Sequence, residues 1–240
     1  VSMKNKLNNI FIYQAKNGDI WFGTENGVSK LSQGKWTNYY QNTKLYNMAV
    51  LAINEYNDKL ILGTYGEGLL SIDSETGEIS NFKLNTDRPF KFVFNLHSTE
   101  NNLWVSTSDG SLNYFYKNKI IHNYKIGFVR DLVEGFEDIV YAISDTGLYK
   151  INKRNNSYQK IETDVFNTVN IGYSLNFDPL NNGLWIGAKN GLYNFDLRKD
   201  DLQFFNIEIS KEVGSVYSLQ RDNMQNLFIG SISGLWKYNI

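Results

Sequence analysis

Residues 20–28 read Ile20-Trp21-Phe22-Gly23-Thr24-Glu25-Asn26-Gly27-Val28, and this pattern decides the fold because it returns along the whole chain. It combines an aromatic residue in a short apolar run, a glycine, a polar turn and a closing glycine. Further copies occupy residues 60–69, 103–110, 140–148, 184–192 and 227–235. The closing glycines follow one another at intervals of about 37–44 residues, close to the length of one propeller blade.

Each repeat contains four segments typical of short β-strands. An apolar run comes first, a polar turn such as Asn181-Asn182-Gly183 follows it, and the aromatic strand comes next. The closing glycine permits a left-handed turn because it has no Cβ. A third strand alternates apolar and polar residues, and an outer strand completes the unit. Sheets of this kind bury both faces when they pack radially around an axis. The sequence therefore predicts an all-β fold, a β-propeller of six four-stranded antiparallel blades.

The predicted blades lie in one domain, residues 1–240, and span about 10–46, 47–90, 91–128, 129–170, 171–213 and 214–240. The sixth lacks its outer strand. Either Val1–Met3 supply that strand and close the ring, or the six repeats belong to a longer array, which the shortness of this segment slightly favours. Trp21, Trp104 and Trp185 follow the repeat register, so we expect them in the core between blades.

The composition argues against several classes of site. The chain has 240 residues, a net charge of −1 and no cysteine, so disulfides and thiolate metal sites are excluded and bulk charge does not favour nucleic acid. No apolar run reaches the roughly 18 residues of a membrane helix, so any membrane anchor would lie outside this chain. His97 and His122 have no acidic residue at ligand spacing, and we expect neither a metal nor a cofactor.

Two further motifs favour structural interpretations. The glycine-rich run Gly63–Gly68 lies in a predicted hairpin turn rather than between a strand and a helix, which argues against a phosphate-binding loop. The acidic pairs Glu137-Asp138 and Asp200-Asp201 fall in predicted turns, where carboxylates are usually solvated. We therefore predict no catalytic residues in this chain.

Ligand-binding side chains are expected on one face of the propeller. The turn between the second and third strands and the loop that enters the first strand open there, and loops on a rigid scaffold carry much of protein function. Arginine and lysine suit a carboxylate or sulfate, and tyrosine rings can stack on sugars. The candidates are Arg88, Lys91, Arg130, Tyr173, Tyr217 and Tyr65.

The repeat resembles that of the two-component regulator propeller family, with residues 20–28 and 184–192 as the best matches. The fourth copy departs from the pattern with Ile143 at the first glycine position, and the third has Ser106 there. In that family the repeats form the extracytoplasmic sensor region of hybrid histidine kinases, many of which sense glycan fragments. The resemblance implies a periplasmic sensor module that recognises an oligosaccharide or a partner and signals to a downstream kinase.

The same resemblance implies particular neighbours: another propeller or an immunoglobulin-like domain of the same protein, and a second copy in a homodimer. Two other functions stay open at this point. A propeller enzyme, such as a lyase or glycan hydrolase, would need convergent titratable groups, against which two histidines and scattered acids argue weakly. A non-catalytic interaction scaffold would use the outer strand edges.

Overall fold

The computed structural model describes residues 9–40, 43–87, 89–99, 101–161, 172–198, 201–204 and 212–240. These residues form 23 strands in six antiparallel sheets, and helical backbone among them is limited to Glu212–Val213. Five sheets have four strands and one has three. The predicted all-β class and six propeller blades are therefore confirmed. The chain divides into two compact units, Val1–Lys125 and Ile126–Ile240, with three blades each.

In unit 1 the strands of each blade are hydrogen-bonded in chain order, from an inner first strand to an outer fourth strand. Blade 1 comprises β1 (Asn9–Gln14), β2 (Ile20–Thr24), β3 (Gly27–Ser32) and β4 (Lys35–Tyr39). Blade 2 comprises β5 (Val50–Tyr56), β6 (Lys59–Thr64), β7 (Leu69–Ile72) and β8 (Ile79–Asn81). Blade 3 comprises β9 (Val93–Ser98), β10 (Asn102–Thr107), β11 (Ser111–Tyr116) and β12 (Lys119–Lys125).

Unit 2 follows the same strand order. Blade 4 comprises β13 (Val129–Glu134), β14 (Ile139–Ser144), β15 (Gly147–Asn152) and β16 (Tyr158–Lys160). Blade 5 comprises β17 (Gly172–Asp178), β18 (Gly183–Ala188), β19 (Gly191–Asp196) and β20 (Asp201–Phe204). Blade 6 comprises β21 (Val216–Arg221), β22 (Asn226–Ser231) and β23 (Gly234–Asn239). Val1–Met3, considered above as a closing strand, lie outside the described residues.

The turn between the second and third strands explains the Gly-Thr-x-x-Gly part of the repeat. In blade 1 the Thr24 hydroxyl donates to the carbonyl of Gly27 at 3.0 Å and accepts the backbone N–H of Asn26 at 3.1 Å. Threonine or serine makes the equivalent bond to the closing glycine in blades 2, 4 and 6, and in blade 3 the Thr107 hydroxyl donates instead to the carbonyl of Ser111. The backbone at Gly27 has φ +89°, and the other closing glycines are also in positive φ, as predicted.

In blades 1, 2 and 5 the face of the second strand that carries the repeat glycine packs on the inner strand of the following blade of the unit. Trp21 is fully buried in a cluster with Val50, Ile53 and Leu62 of blade 2. Trp185 packs in the same way with Val216 and other residues of blade 6. Trp21, Trp104 and Trp185 are all buried, which confirms their predicted place in the core.

The first glycine of the repeat allows this close approach. A Cβ on Gly23 would lie 2.6 Å from the carbonyl oxygen of Val50, and a Cβ on Gly63 would lie 2.8 Å from the Cγ1 of Val93. Real Cβ atoms do not approach other atoms so closely, because protein interiors are already close-packed. The glycine therefore makes room for a valine at the start of the next inner strand.

Blade 4 reverses this pairing. Ile143 occupies the position of the glycine, and the next inner strand begins with Gly172 where blades 2, 3, 4 and 6 have valine. A Cβ on Gly172 would overlap the side chain of Ile143. The departure of the fourth repeat from the sequence pattern is thus compensated in its neighbour, and the total volume at the contact is kept.

We expect Gly172→Val to destabilise the protein by about 1–3 kcal/mol through overpacking against Ile143. Ile143→Gly should cost about 3–5 kcal/mol because it removes a buried side chain. The double variant restores the glycine–valine pairing of blades 1, 2 and 5. In urea unfolding, its loss of unfolding free energy should therefore be about 0.5–3 kcal/mol smaller than the sum of the losses of the two single variants. As a control, Gly172→Val combined with Ile229→Val in a separate cluster should be additive. Additivity of the Ile143 and Gly172 changes would contradict the pairing.

Candidate functional site

Each inner strand carries one β-bulge near its beginning. The pairing with the second strand shifts by one residue between the first and third residues of β1, β5, β9, β13, β17 and β21. A bulge re-aims the side chain of the extra residue and is common beside functional sites. The bulge residues, in blade order, are Ile10, Leu51, Phe94, Arg130, Tyr173 and Tyr217.

In unit 2 the three bulge residues form one stack with Phe128. The Arg130 guanidinium carbon lies 5.6 Å from the ring centre of Phe128 and 5.5 Å from that of Tyr173. The ring of Tyr173 lies 5.1 Å from that of Tyr217, tilted by 44°. Arg130 and Tyr173 are half-buried and Tyr217 is 50% exposed. We call these four residues the unit 2 platform, which extends across blades 4, 5 and 6.

Asp131 links two of the inner strands that carry this platform. Its Oδ1 accepts the N–H of Leu132 at 2.8 Å, and its Oδ2 accepts the N–H of Leu175 in blade 5, also at 2.8 Å. Arg130 and Tyr173 therefore sit on two inner strands that one carboxyl group ties together. Burial raises the pKa of Asp131 to about 7, and the two backbone hydrogen bonds only partly oppose it.

Unit 1 has a smaller aromatic cluster at the turn between β6 and β7. The ring of Tyr65 lies 4.7 Å from that of Phe92 and 6.3 Å from that of Phe94, and the Lys91 ammonium lies 5.5 Å from the Phe92 ring centre. The N–H groups of Gly66 and Gly68 donate to the carbonyl of Lys91 at 2.9 and 3.1 Å. These bonds hold the loop that leads into β9 against the turn between β6 and β7. We call Tyr65, Lys91, Phe92 and Phe94 the unit 1 platform.

A cavity of about 320 Å³ lies beside the same loop in unit 1. Its lining includes the apolar residues Leu69, Phe82 and Phe90 and the acidic residues Glu67 and Asp87. Its volume falls in the range of small-molecule sites. The entering loop thus separates two features of different character, an aromatic surface and a mixed cavity.

The structure groups the predicted site residues into two sets. Arg130, Tyr173 and Tyr217 come together in unit 2, and Tyr65 and Lys91 come together in unit 1. Arg88 lies outside the described residues. The sequence assigned Arg130, Tyr173 and Tyr217 to the face on which the inner strands begin, and the structure places each of them at the bulge near the start of an inner strand.

Phe128 and Asp131 were missed in the sequence. Phe128 and Phe92 each lie one residue before an inner strand, and this shared position was the available signal. Asp131 gave a weaker signal, as a carboxylate at a position where blades 2, 5 and 6 have alanine or serine.

In the part of the chain that the structure describes, no group of three or more His, Asp and Glu side chains is arranged to hold a metal ion. His97 lies in β9 and His122 in β12, and the centre of the His122 ring lies 4.4 Å from that of Tyr124. Among the described residues, no helix has the length and apolar character needed to span a membrane.

Comparison with known families bears out the sequence resemblance. Residues 6–26 match the family model described as the two component regulator propeller. No curated protein matches the chain closely enough to count as a relative.

Similar solved structures include two extracellular domains from B. thetaiotaomicron. The domain assigned to the hybrid two-component system BT3049 is 19% identical, with a TM-score of 0.79 over 100% of this chain and 35% of that one. The domain assigned to the hybrid two-component system BT4673 is 17% identical, with a TM-score of 0.80 over 100% of this chain and 32% of that one. This chain thus spans about a third of their length.

An enzyme of known fold is also similar. Virginiamycin B lyase from Staphylococcus aureus is 13% identical, with a TM-score of 0.75 over 98% of this chain and 81% of the lyase. At identities of 13–19% these likenesses show a shared propeller fold.

The raised pKa of Asp131 gives the protein a predicted pH dependence. Folding penalises the ionised carboxylate, so the folded state binds more protons than the unfolded state between pH ~4 and pH ~7. The free energy of unfolding should fall by up to about 4 kcal/mol as the pH rises through this window. Asp131→Asn, which copies Asn95 of blade 3, should remove that slope in urea unfolding at pH 4.5 to 8.5.

Asp109→Asn is the control for this experiment. Burial alone would raise the pKa of Asp109, but hydrogen bonds from Lys125, Thr107 and Ser111 and the Lys125 charge lower it overall. Its contribution is therefore lost only in acid, and Asp109→Asn should keep the wild-type slope between pH 5 and 8. An unchanged slope in Asp131→Asn would show that another group titrates.

Proposed function

We propose that this chain is the ligand-sensing propeller module of a two-component regulatory protein and that it recognises a glycan fragment. The observation that carries the proposal is the unit 2 platform, in which Phe128, Arg130, Tyr173 and Tyr217 form a continuous stack across three blades. The family match at residues 6–26 and the likeness to extracellular domains of two-component systems support the sensor role.

The chemistry of the platform suits a carbohydrate. The half-exposed ring of Tyr217 offers an apolar surface with a polar rim, and its neighbour Tyr173 extends that surface into the next blade. The Arg130 guanidinium lies close to the rings of both Phe128 and Tyr173. A guanidinium group matches a carboxylate or sulfate in a bidentate way. The preferred ligand is therefore an oligosaccharide with an acidic group beside a stacking sugar.

Signalling requires parts of the protein beyond these residues. A ligand that bridges Arg130 and Tyr173 would tighten the contact between blades 4 and 5, which Asp131 already ties together. In our proposal this change in blade packing passes to a downstream histidine kinase across the membrane, with the propeller in the periplasm. A neighbouring propeller or immunoglobulin-like domain and a second copy of the chain would carry the change onward.

A lyase activity is the second candidate, because the lyase from Staphylococcus aureus shares the fold. The unit 2 platform offers little acid–base chemistry. The two carboxyl groups beside it are each engaged by backbone N–H groups: Asp131 accepts those of Leu132 and Leu175, and Asp145 accepts that of Phe128 at 2.8 Å. Binding without chemistry therefore fits the described residues of the platform better than catalysis.

A thermal-shift screen with neutral and uronate-containing oligosaccharides tests the sensor proposal. A glycan present at about 100 times its Kd stabilises the folded state by ~2.7 kcal/mol, or about 5–10 °C in Tm. Tyr217→Ala and Tyr173→Ala should each lower the affinity for a glycan found in this screen about 10-fold or more. Tyr158→Ala, which removes an exposed tyrosine from the outer strand of blade 4, is the matched control and should leave the affinity unchanged.

Three results would count against the sensor proposal. Absence of any shift would favour an interaction scaffold. Equal losses in Tyr158→Ala and Tyr217→Ala would place the glycan elsewhere. Cleavage of an oligosaccharide, followed by chromatography of the mixture, would favour the enzyme.

The charge preference is tested separately by calorimetry of the Arg130 variants. We expect Arg130→Gln to lower the affinity for uronate-containing glycans about 10- to 100-fold, since it removes a charge-assisted hydrogen bond. The affinity for neutral glycans should change little. Arg130→Lys should restore only part of the affinity, because an ammonium group lacks the planar fork. Equal losses for neutral and acidic glycans would leave Arg130 with a structural role only.

A further inference from the structure

Phe128 of the unit 2 platform is held by an acidic residue in the turn between the second and third strands of blade 4. Its N–H donates to Oδ1 of Asp145 at 2.8 Å, and its carbonyl accepts the N–H of Asp145 at 3.2 Å. Asp145 is the first residue after β14 and is exposed. The end of the platform formed by Phe128 and Arg130 therefore has a negative charge at its border.

Ser215 of blade 6 lies one residue before the inner strand, at the other end of the platform. Its carbonyl accepts the N–H of Ile232 at 2.9 Å, and its hydroxyl donates to the carbonyl of Lys189 in blade 5 at 2.6 Å. Lys189 and Ile232 are the first residues after β18 and β22, and both are exposed. Because Ser215 precedes Tyr217 by only two residues, a cation and an apolar side chain border the tyrosine end of the platform.

These turn residues give the border of the platform a fixed order of charge. We call the first residues after the second strands of unit 2 the tip row; in blade order they are Asp145, Lys189 and Ile232. Backbone hydrogen bonds join each of them to the residue that precedes an inner strand, so their order along the platform is set by the fold. An ordered arrangement of charges orients a charged ligand and excludes ligands of the wrong pattern.

We propose that Lys189 and Asp145 determine the specificity of the unit 2 platform, so that it accepts one uronate beside a neutral sugar and disfavours consecutive uronates. This inference rests on the proposed function and narrows its ligand. Lysine attracts the carboxylate of the single uronate, and aspartate repels a second one. The tip row thereby distinguishes a mixed glycan from a fragment built only of acidic sugars.

The order of the side chains indicates how such a glycan would lie. Its carboxylate is placed over Tyr173, with Arg130 5.5 Å from that ring on one side and Lys189 on the other. The neutral sugar stacks on the exposed ring of Tyr217. A further uronate on the opposite side would face the carboxylate of Asp145, and like charges brought together lower the affinity.

Calorimetry with three sets of disaccharides tests the role of Lys189: one uronate joined to one neutral sugar, two uronates, and two neutral sugars. Lys189→Met should lower the affinity for both acidic sets about 5- to 20-fold, because it removes a charge-assisted hydrogen bond and keeps an unbranched stem. The affinity for neutral disaccharides should stay within about 2-fold of the wild type. Lys189→Arg keeps the positive charge and should keep the preference for acidic disaccharides.

The same disaccharides test the role of Asp145. Asp145→Asn removes the negative charge but keeps the oxygen that accepts the N–H of Phe128. It should raise the affinity for two-uronate disaccharides about 3- to 5-fold and leave that for the mixed set nearly unchanged. Lys237→Met, which removes an exposed lysine from β23, is the charge-matched control and should change none of the three affinities.

Two results would overturn this specificity and leave glycan sensing intact. The first is an equal effect of Lys189→Met on acidic and neutral disaccharides, whether a loss or no change. The second is an unchanged affinity of Asp145→Asn for two uronates. In both cases, binding of neutral disaccharides that Tyr217→Ala weakens would still support the proposed function. If none of the three sets binds the wild-type chain, both proposals fail.

Discussion

The packing of an aromatic–glycine face on the inner strand of the following blade is the interaction on which each unit depends. A four-stranded sheet with apolar residues on both faces cannot stay in water alone, and its neighbour is the nearest cover. The glycine in the second strand lets the neighbour's backbone approach, as Gly23 does for Val50. The aromatic residue beside it fills the remaining space, so spacing and shape are set together.

From blade to blade this contact keeps a similar volume, although the residue types differ. Ile143 and Gly172 exchange the large and small partners, and the blades still pack at the same register. The isoleucine that departs from the pattern in the fourth repeat is therefore matched by a glycine at the start of the next blade. A single repeat inspected alone looks irregular, whereas the interface is regular.

The same packing creates the candidate site. Because inner strands are brought side by side, their bulge residues become neighbours, and Arg130, Tyr173 and Tyr217 stack although about 43 residues separate each from the next. Asp131 then ties two of these strands through one carboxyl group, at the expense of a raised pKa. Rigid strands hold this platform, which suits a surface that must recognise a ligand in a fixed geometry.

The sequence by itself determined the fold class, the six repeats and the turn glycines, because each depends on local spacing: residues 20–28 contain the aromatic, the glycine and the Thr24 turn. It also nominated Arg130, Tyr173 and Tyr217. Only the tertiary structure decided that they stack, that Phe128 joins them and that Asp131 binds the next blade. Those contacts join strands far apart in the chain, and their register depends on bulges that no local pattern specifies.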